Sequence, residues 1–364
     1  RLWDRFYGTM DWYQTNTDDV AWNAPISYAM SGQTTLAANS ARMRTRGFEL
    51  ELGVDIIKTP NTLWSFNVTG STYYTTILEV PEGTGSAQLN GCWTAPADAW
   101  SIAGTGGTSN NITYLRGIGK PYYNMYIYKY GGVDPASGLP LIASTVSSTN
   151  IDNLKKTSGN VYGDIVEGNT VYTTDYTLAT RQEFGDATPD FIGGFGTSLK
   201  WKNLDFSAQF AFQIGGKFLS VADANHYYRS DQTGYYHMSA DLKGNTFTAS
   251  NTGARYPMVI LNNPNSNGYT GGSTIGSWAY TDMALYSASY LNVKNLTLGY
   301  NFPQKWMDKI GIGGIRVYAS FDNFWMLTTH KGIDPRMSLV GGMDVGAMAY
   351  PYMRTCSLGV NVTF

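Results

Sequence analysis

From 289 to 364 the chain alternates apolar and polar residues in successive segments, the last of which runs to the final residue. In one segment Val317, Ala319, Phe321, Asn323 and Trp325 share a side and are mostly apolar, while Arg316, Tyr318, Ser320 and Asp322 between them are mostly polar. Cys356, Leu358, Val360, Val362 and Phe364 repeat the arrangement against Ser357, Gly359, Asn361 and Thr363. Successive side chains of a β-strand point to opposite faces, so a period of two sets one face in an apolar medium and the other against water or polar groups. Strands of about ten residues with this alternation are the size of transmembrane barrel staves. A soluble sandwich shows the same alternation, so the pattern alone leaves both open.

The same reading upstream predicts strands at 6–13, 44–57, 63–80, 118–130, 139–144, 191–201, 204–214, 291–302, 315–327 and 353–364, about ten in all. The apolar rows predict a lipid face that includes Leu204, Phe206, Phe210, Phe212, Val317, Phe321, Leu358 and Val360. Short turns are expected around Pro60, at 134–138, at Lys202 and Asn203, and at 304–314. Long polar loops are expected near 15–43, 80–117, 147–188, 216–286 and 329–352. Bacterial outer-membrane barrels have short periplasmic turns and long extracellular loops, and a sandwich has no reason to gather its long loops at one end. The asymmetry favours an all-β, transmembrane antiparallel barrel.

Composition changes this picture little. No run of 18 apolar residues occurs in the 364, which argues against a membrane-spanning helix. Mean hydropathy is only −0.24, because alternation dilutes a barrel's apolar content. Aromatic residues make up 14%, as much as the charged residues, which suits girdles at two membrane interfaces. A net charge of −2 gives no sign of nucleic acid or another polyanion as a partner. Cys92 falls in a loop and Cys356 in a strand, so no disulfide is expected. An outer-membrane protein carries an export leader when made, and none precedes Arg1, so either the leader was removed or the chain is a piece of a longer protein, and the latter is expected.

Candidate chemistry is sparse. Glu49, Glu51 and Asp55 share one strand side, an arrangement suited to acid–base work but also to a solvated barrel lumen, which is the expected reading. His226, His237 and His330 lack metal-ligand spacing, so no metal, cofactor or catalytic set is expected. The N-x-[ST] sites at Asn67, Asn295 and Asn361 fall in strands, and with Asn111 they make poor glycosylation acceptors. The loops are rich in aromatics instead. Trp93, Trp100, Tyr227, Tyr228, Tyr235, Tyr236 and Trp278 are the candidate ligand-binding residues, since such rings stack on sugars or peptide side chains and offer a polar end. They serve equally as packing within the loops.

The segments LNVKNLTLGYNFP, IRVYASFDNFWMLT, KGIDPR and the terminal VNVTF, in this order, resemble the carboxy-terminal strands of SusC/RagA-type TonB-dependent outer-membrane transporters. RTRGFELEL, YNMYIYKYGGVDPASGLPL and TPDFIGGFGTSLKWKNLDFSAQFAFQIGG resemble the preceding segments of that family, so the resemblance covers essentially the whole chain. It implies that 1–364 is the carboxy-terminal part of a barrel of about 22 strands whose lumen holds a plug domain. The plug, the TonB-binding segment and the amino-terminal strands would lie outside this chain. It further implies TonB-energised, non-enzymatic uptake of a glycan or oligopeptide and a SusD-like surface lipoprotein as lid. A dimer of transporter–lipoprotein pairs in outer-membrane lipid is implied too. Phe364 stands where the family carries its assembly signal. A self-contained small barrel acting as porin, hydrolase or surface adhesin is the alternative, since an even number of strands permits closure.

Overall fold

Among the residues described in the computed structural model, eight strands hydrogen-bond into one sheet whose order is the order of the sequence. These residues are 3–81, 93–96, 113–145, 161–167, 170–174, 179–220, 223–224, 239–259, 281–330, 332–336, 339–340, 343–344 and 352–364. The wall strands are β1 (Phe6–Pro25), β2 (Thr35–Thr59), β3 (Thr62–Glu79), β4 (Pro189–Trp201), β5 (Leu204–Gly215), β6 (Tyr290–Asn301), β7 (Gly314–Thr328) and β8 (Thr355–Thr363). Every neighbouring pair is antiparallel. Among the described residues no helix is long and apolar enough to cross a membrane.

The register puts the apolar rows on one side, as alternation requires. Phe206 lies opposite Leu298, Leu298 opposite Ala319, and Ala319 opposite Leu358. Leu204, Tyr300, Val317 and Val360 form the next row toward the short turns. Leu298, Tyr300, Val317, Leu358 and Val360 are exposed although largely apolar, Leu358 to 82% and Val360 to 62%, and Leu204, Phe206 and Ala319 are half-buried. Such a continuous band has no place in water and marks the surface that meets lipid. Polar groups on this side find partners locally. Trp64 Nε1 donates to Thr197 Oγ1 at 2.8 Å, and Thr197 Oγ1 donates to the Ser65 carbonyl at 3.1 Å. In hydrocarbon an unmade hydrogen bond of that kind costs several kcal/mol.

Three connections of the wall are tight. Residues 60–61 join β2 to β3, Lys202 with φ +51° turns β4 into β5, and the helix Gln304–Ile310 joins β6 to β7 and ends on Gly311 at φ +69°. Exposed Trp3, Trp64, Trp201, Tyr300 and Trp306 cluster at this end, the position of an interfacial aromatic girdle.

The structure corrects three expectations. Segments 118–130 and 139–144 are not staves but belong to separate small sheets, so the wall holds eight strands rather than ten. The turn at 134–138 therefore sits among the long connections and not at the short-turn end. Residues 15–43 are mostly strand: β1 and β2 continue far beyond the apolar band and close over a four-residue helix at Tyr28–Ser31.

Candidate functional site

The other side of the wall is polar and concave. Asp11 faces Glu49 across the β1–β2 ladder and Thr9 faces Glu51. With Thr69, Ser71, Gln213 and Tyr290 they line a hollow of about 620 Å³. Among the described residues these three carboxylates meet no cation, and like charges placed opposite in a sheet repel. Farther round, Arg316 grips Asp205 with two hydrogen bonds, of 3.1 and 2.5 Å, and Asn301 adds a third at 3.2 Å. Asn295 donates to Asp322 at 2.7 Å and accepts from Thr297 at 2.9 Å. Glycines on this face make room for rings from the facing strand. A Cβ on Gly53 would stand 2.1 Å from the Tyr7 ring, and one on Gly359 would stand 2.3 Å from Tyr318. Wall and hollow together present a polar surface on this side of the sheet.

Above the wall, at the end opposite the tight turns, the long connections fold into a lobe of three four-stranded sheets. Its core joins Tyr114, Met125, Ile127, Ile142, Leu219, Leu242 and Tyr256, all nearly inaccessible. The lobe is fastened to β3, where Ile77 donates its N–H to the Lys120 carbonyl and accepts from Gly119 N–H. Lys120 also pairs with Glu183 at 2.8 Å. Desolvation pushes the Glu183 carboxyl up, but hydrogen bonds from Lys120 and Asn124, with the Lys120 charge, outweigh it and leave it below its ordinary value. Asp134 is buried in the 134–138 turn, where it accepts the N–H groups of Ala136 and Ser137. His330 Nε2 lies 2.7 Å from Asp223 Oδ2, and its ring stacks on Tyr286 at 3.7 Å.

A latch holds the last long connection. Arg336 donates to both oxygens of Asp334, at 2.9 and 2.6 Å, and to Asn323 Oδ1 at 2.9 Å. Asn323 has φ +51° and donates from Nδ2 to the Met353 carbonyl at 3.3 Å. Its side chain ties β7 to the entry of β8.

Of the residues singled out from sequence, Trp100, Tyr227, Tyr228, Tyr235, Tyr236 and Trp278 lie outside the described residues, as do Cys92, His226 and His237. Trp93 is described only by its backbone, in a strand paired with Arg116. Phe364 ends the outward row of β8 and is 95% exposed. The sequence assigns no role to Asp334, Arg336 or the buried Arg116, and places Asn323 only in the apolar row of its strand. Arg116 has its guanidinium 3.9 Å over the Tyr122 ring. KGIDPR contains Asp334 and Arg336, and IRVYASFDNFWMLT contains Asn323.

No protein-family model matches the chain. It is 25% identical over 98% of its length to TonB-dependent receptor P3 of Formosa agariphila, covering 32% of that protein. It is 24% identical over 99% of its length to TonB-dependent receptor SusC of Bacteroides thetaiotaomicron, covering 30% of it. The fold superposes on the RagAB peptide transporter with a TM-score of 0.69 at 22% identity, covering 99% of this chain and 34% of that one. The chain thus spans about a third of the length of the curated relatives it matches. The resemblance read from the sequence holds along the whole chain, and the eight-stranded wall is that of an outer-membrane β-barrel.

Proposed function

We propose that the chain is the carboxy-terminal part of the barrel of an outer-membrane importer, energised through TonB and closed outside by a SusD-like lipoprotein. The cargo class is glycan or oligopeptide. The observation that carries this reading is the open wall with a polar concave side and a folded lobe gathered at one end. In lipid each unpaired backbone group on the free edges of β1 and β8 would cost several kcal/mol. Further strands therefore complete the barrel, which weighs against a self-contained small porin or adhesin. A plug domain fills the completed lumen, and two transporter–lipoprotein pairs associate. No covalent step is required of the wall, whose task is to bind and guide.

Replacing Tyr227, Tyr228, Tyr235 and Tyr236 together by alanine tests the aromatic site residues. A stacked aromatic pair contributes about 0.5–1.5 kcal/mol, so uptake is expected to fall at least about tenfold at limiting nutrient while surface levels hold. Growth on the cognate nutrient reports cargo, and co-purification of the lipoprotein reports the lid. If both stay at wild-type level, these tyrosines are spacers. Deleting residues 235–269 instead is a poorer test, because Leu242 and Tyr256 belong to the core of the lobe.

Phe364 acts in assembly rather than transport. Phe364→Asp places a charge at the end of the outward row and is expected to lower the amount of inserted protein severalfold. Uptake per inserted molecule should stay unchanged. Normal surface levels of this variant would remove the assignment.

A further inference from the structure

On the outward side of β1 and β2 the cross-strand rungs change chemistry in a fixed order. Met10 faces Leu50, Trp12 faces Phe48, Gln14 faces Arg46, and Asn16 faces Arg44. Above them Arg42 engages Asp18 at 2.7 Å and Glu79 at 3.4 Å. Apolar rung, aromatic rung, guanidinium rungs and then an ion pair reproduce the cross-section of a membrane interface from acyl chains through headgroups to water.

The arginines are aimed. Gln14 Oε1 accepts from Arg46 Nε at 2.9 Å, and Asn16 Oδ1 accepts from Arg44 Nε at 3.0 Å. Held through Nε by a neutral amide, each guanidinium keeps its terminal nitrogens for another acceptor and its charge uncompensated. Among the described residues neither meets a carboxylate, in contrast to Arg42 with two. Two residues apart on one strand, Arg44 and Arg46 follow each other at about 6.6–6.8 Å of backbone rise along the wall. Paired nitrogens on a planar fork match a phosphate better than any ammonium does.

We propose that Arg44 and Arg46 form a binding site for the phosphate of an anionic lipid headgroup in the leaflet at the lobe end of the wall. The occupant is a lipid because the site continues the lipid-facing band directly beneath it. An acyl chain lying along Leu50, Met10, Phe48 and Trp12 brings its headgroup to the level of Arg46. Met10 and Trp12 are 69% and 67% accessible, so that track is open. The proposal rests on the membrane placement of the wall and is independent of the cargo.

The test is native mass spectrometry of the intact protein, extracted from outer membranes into detergent and titrated with phosphatidylglycerol, phosphatidylcholine or inorganic phosphate. Wild type is expected to hold phosphatidylglycerol in preference to phosphatidylcholine, and Arg44→Gln/Arg46→Gln to weaken that binding by about thirtyfold. Arg44→Lys/Arg46→Lys should fall between the two, since charge remains and the fork is lost. Lys243→Gln, on the exposed lobe, should change nothing. Folding is followed separately by the heat-dependent gel shift of the barrel, which is expected to persist when exposed Arg46 and half-buried Arg44 are changed. Equal lipid retention in the glutamine variant, an equal loss in Lys243→Gln, or displacement of the lipid by inorganic phosphate would each overturn the assignment. So would loss of a co-purifying protein with lipid binding intact.

Discussion

Phe210→Arg is expected to destabilise the inserted protein by about 2–4 kcal/mol, while Gln209→Arg, one residue away, changes it by about 1 kcal/mol or less. Phe210 sits in the outward row, stacked on Phe195 with ring centroids 4.5 Å apart and opposite Val293. A guanidinium there must be carried into hydrocarbon, and it also takes away the stacked ring. Gln209 points to the polar side, where its amide lies against Gly196 and near Asn67, so a cation there stays hydrated. Urea unfolding in lipid vesicles, followed by tryptophan emission, measures both variants under one condition. Equal losses would sink the assignment of the two sides.

What the sequence made legible is what the membrane enforces. Leu204 to Ile214 and Cys356 to Phe364 could be placed by side from alternation alone, because lipid on one side and water on the other impose opposite demands on successive residues. Beyond the lipid that demand ends. Gln14 and Asn16 face Arg46 and Arg44, so the outward side turns polar and the hydrophobic alternation vanishes although the ladder continues. The stretch 15–43 consequently reads as loop. The opposite error arose at 118–130 and 139–144, where strands of the lobe have strand-like composition but nothing in the period says which sheet they join. The site was less legible still. Asn323 meets Arg336 only because a left-handed residue bends β7, and no periodicity announces such a bend.

That bend carries the second large effect. Arg336→Ala is expected to cost about 3–5 kcal/mol, the usual penalty for removing one partner from a buried ion pair. Asp334 is 6% exposed, so its carboxylate would be left with little water to replace two charge-assisted hydrogen bonds. Asn323 would lose its donor, and Tyr352 the guanidinium 5.0 Å from its ring centre. Arg336→Lys keeps one point charge without the fork and should fall between wild type and alanine. The same vesicle unfolding assay gives the values. A loss under about 1 kcal/mol for Arg336→Ala would show the pair to be solvated, as exposed pairs are.

The sequential order of the wall bears on how such proteins diversify. β3 and β4 are direct neighbours although residues 80–188 separate them, and β5 and β6 are neighbours across 216–289. Closing a flexible loop costs only about 0.6 kcal/mol more each time its length doubles. Insertions at the lobe end are therefore nearly free in energy, whereas one residue added within a stave reverses every side chain beyond it. Natural variation can rewrite the long connections almost at will while the staves stay put. Two proteins of this architecture can thus share a wall residue by residue and still differ entirely in the surface they offer to their surroundings.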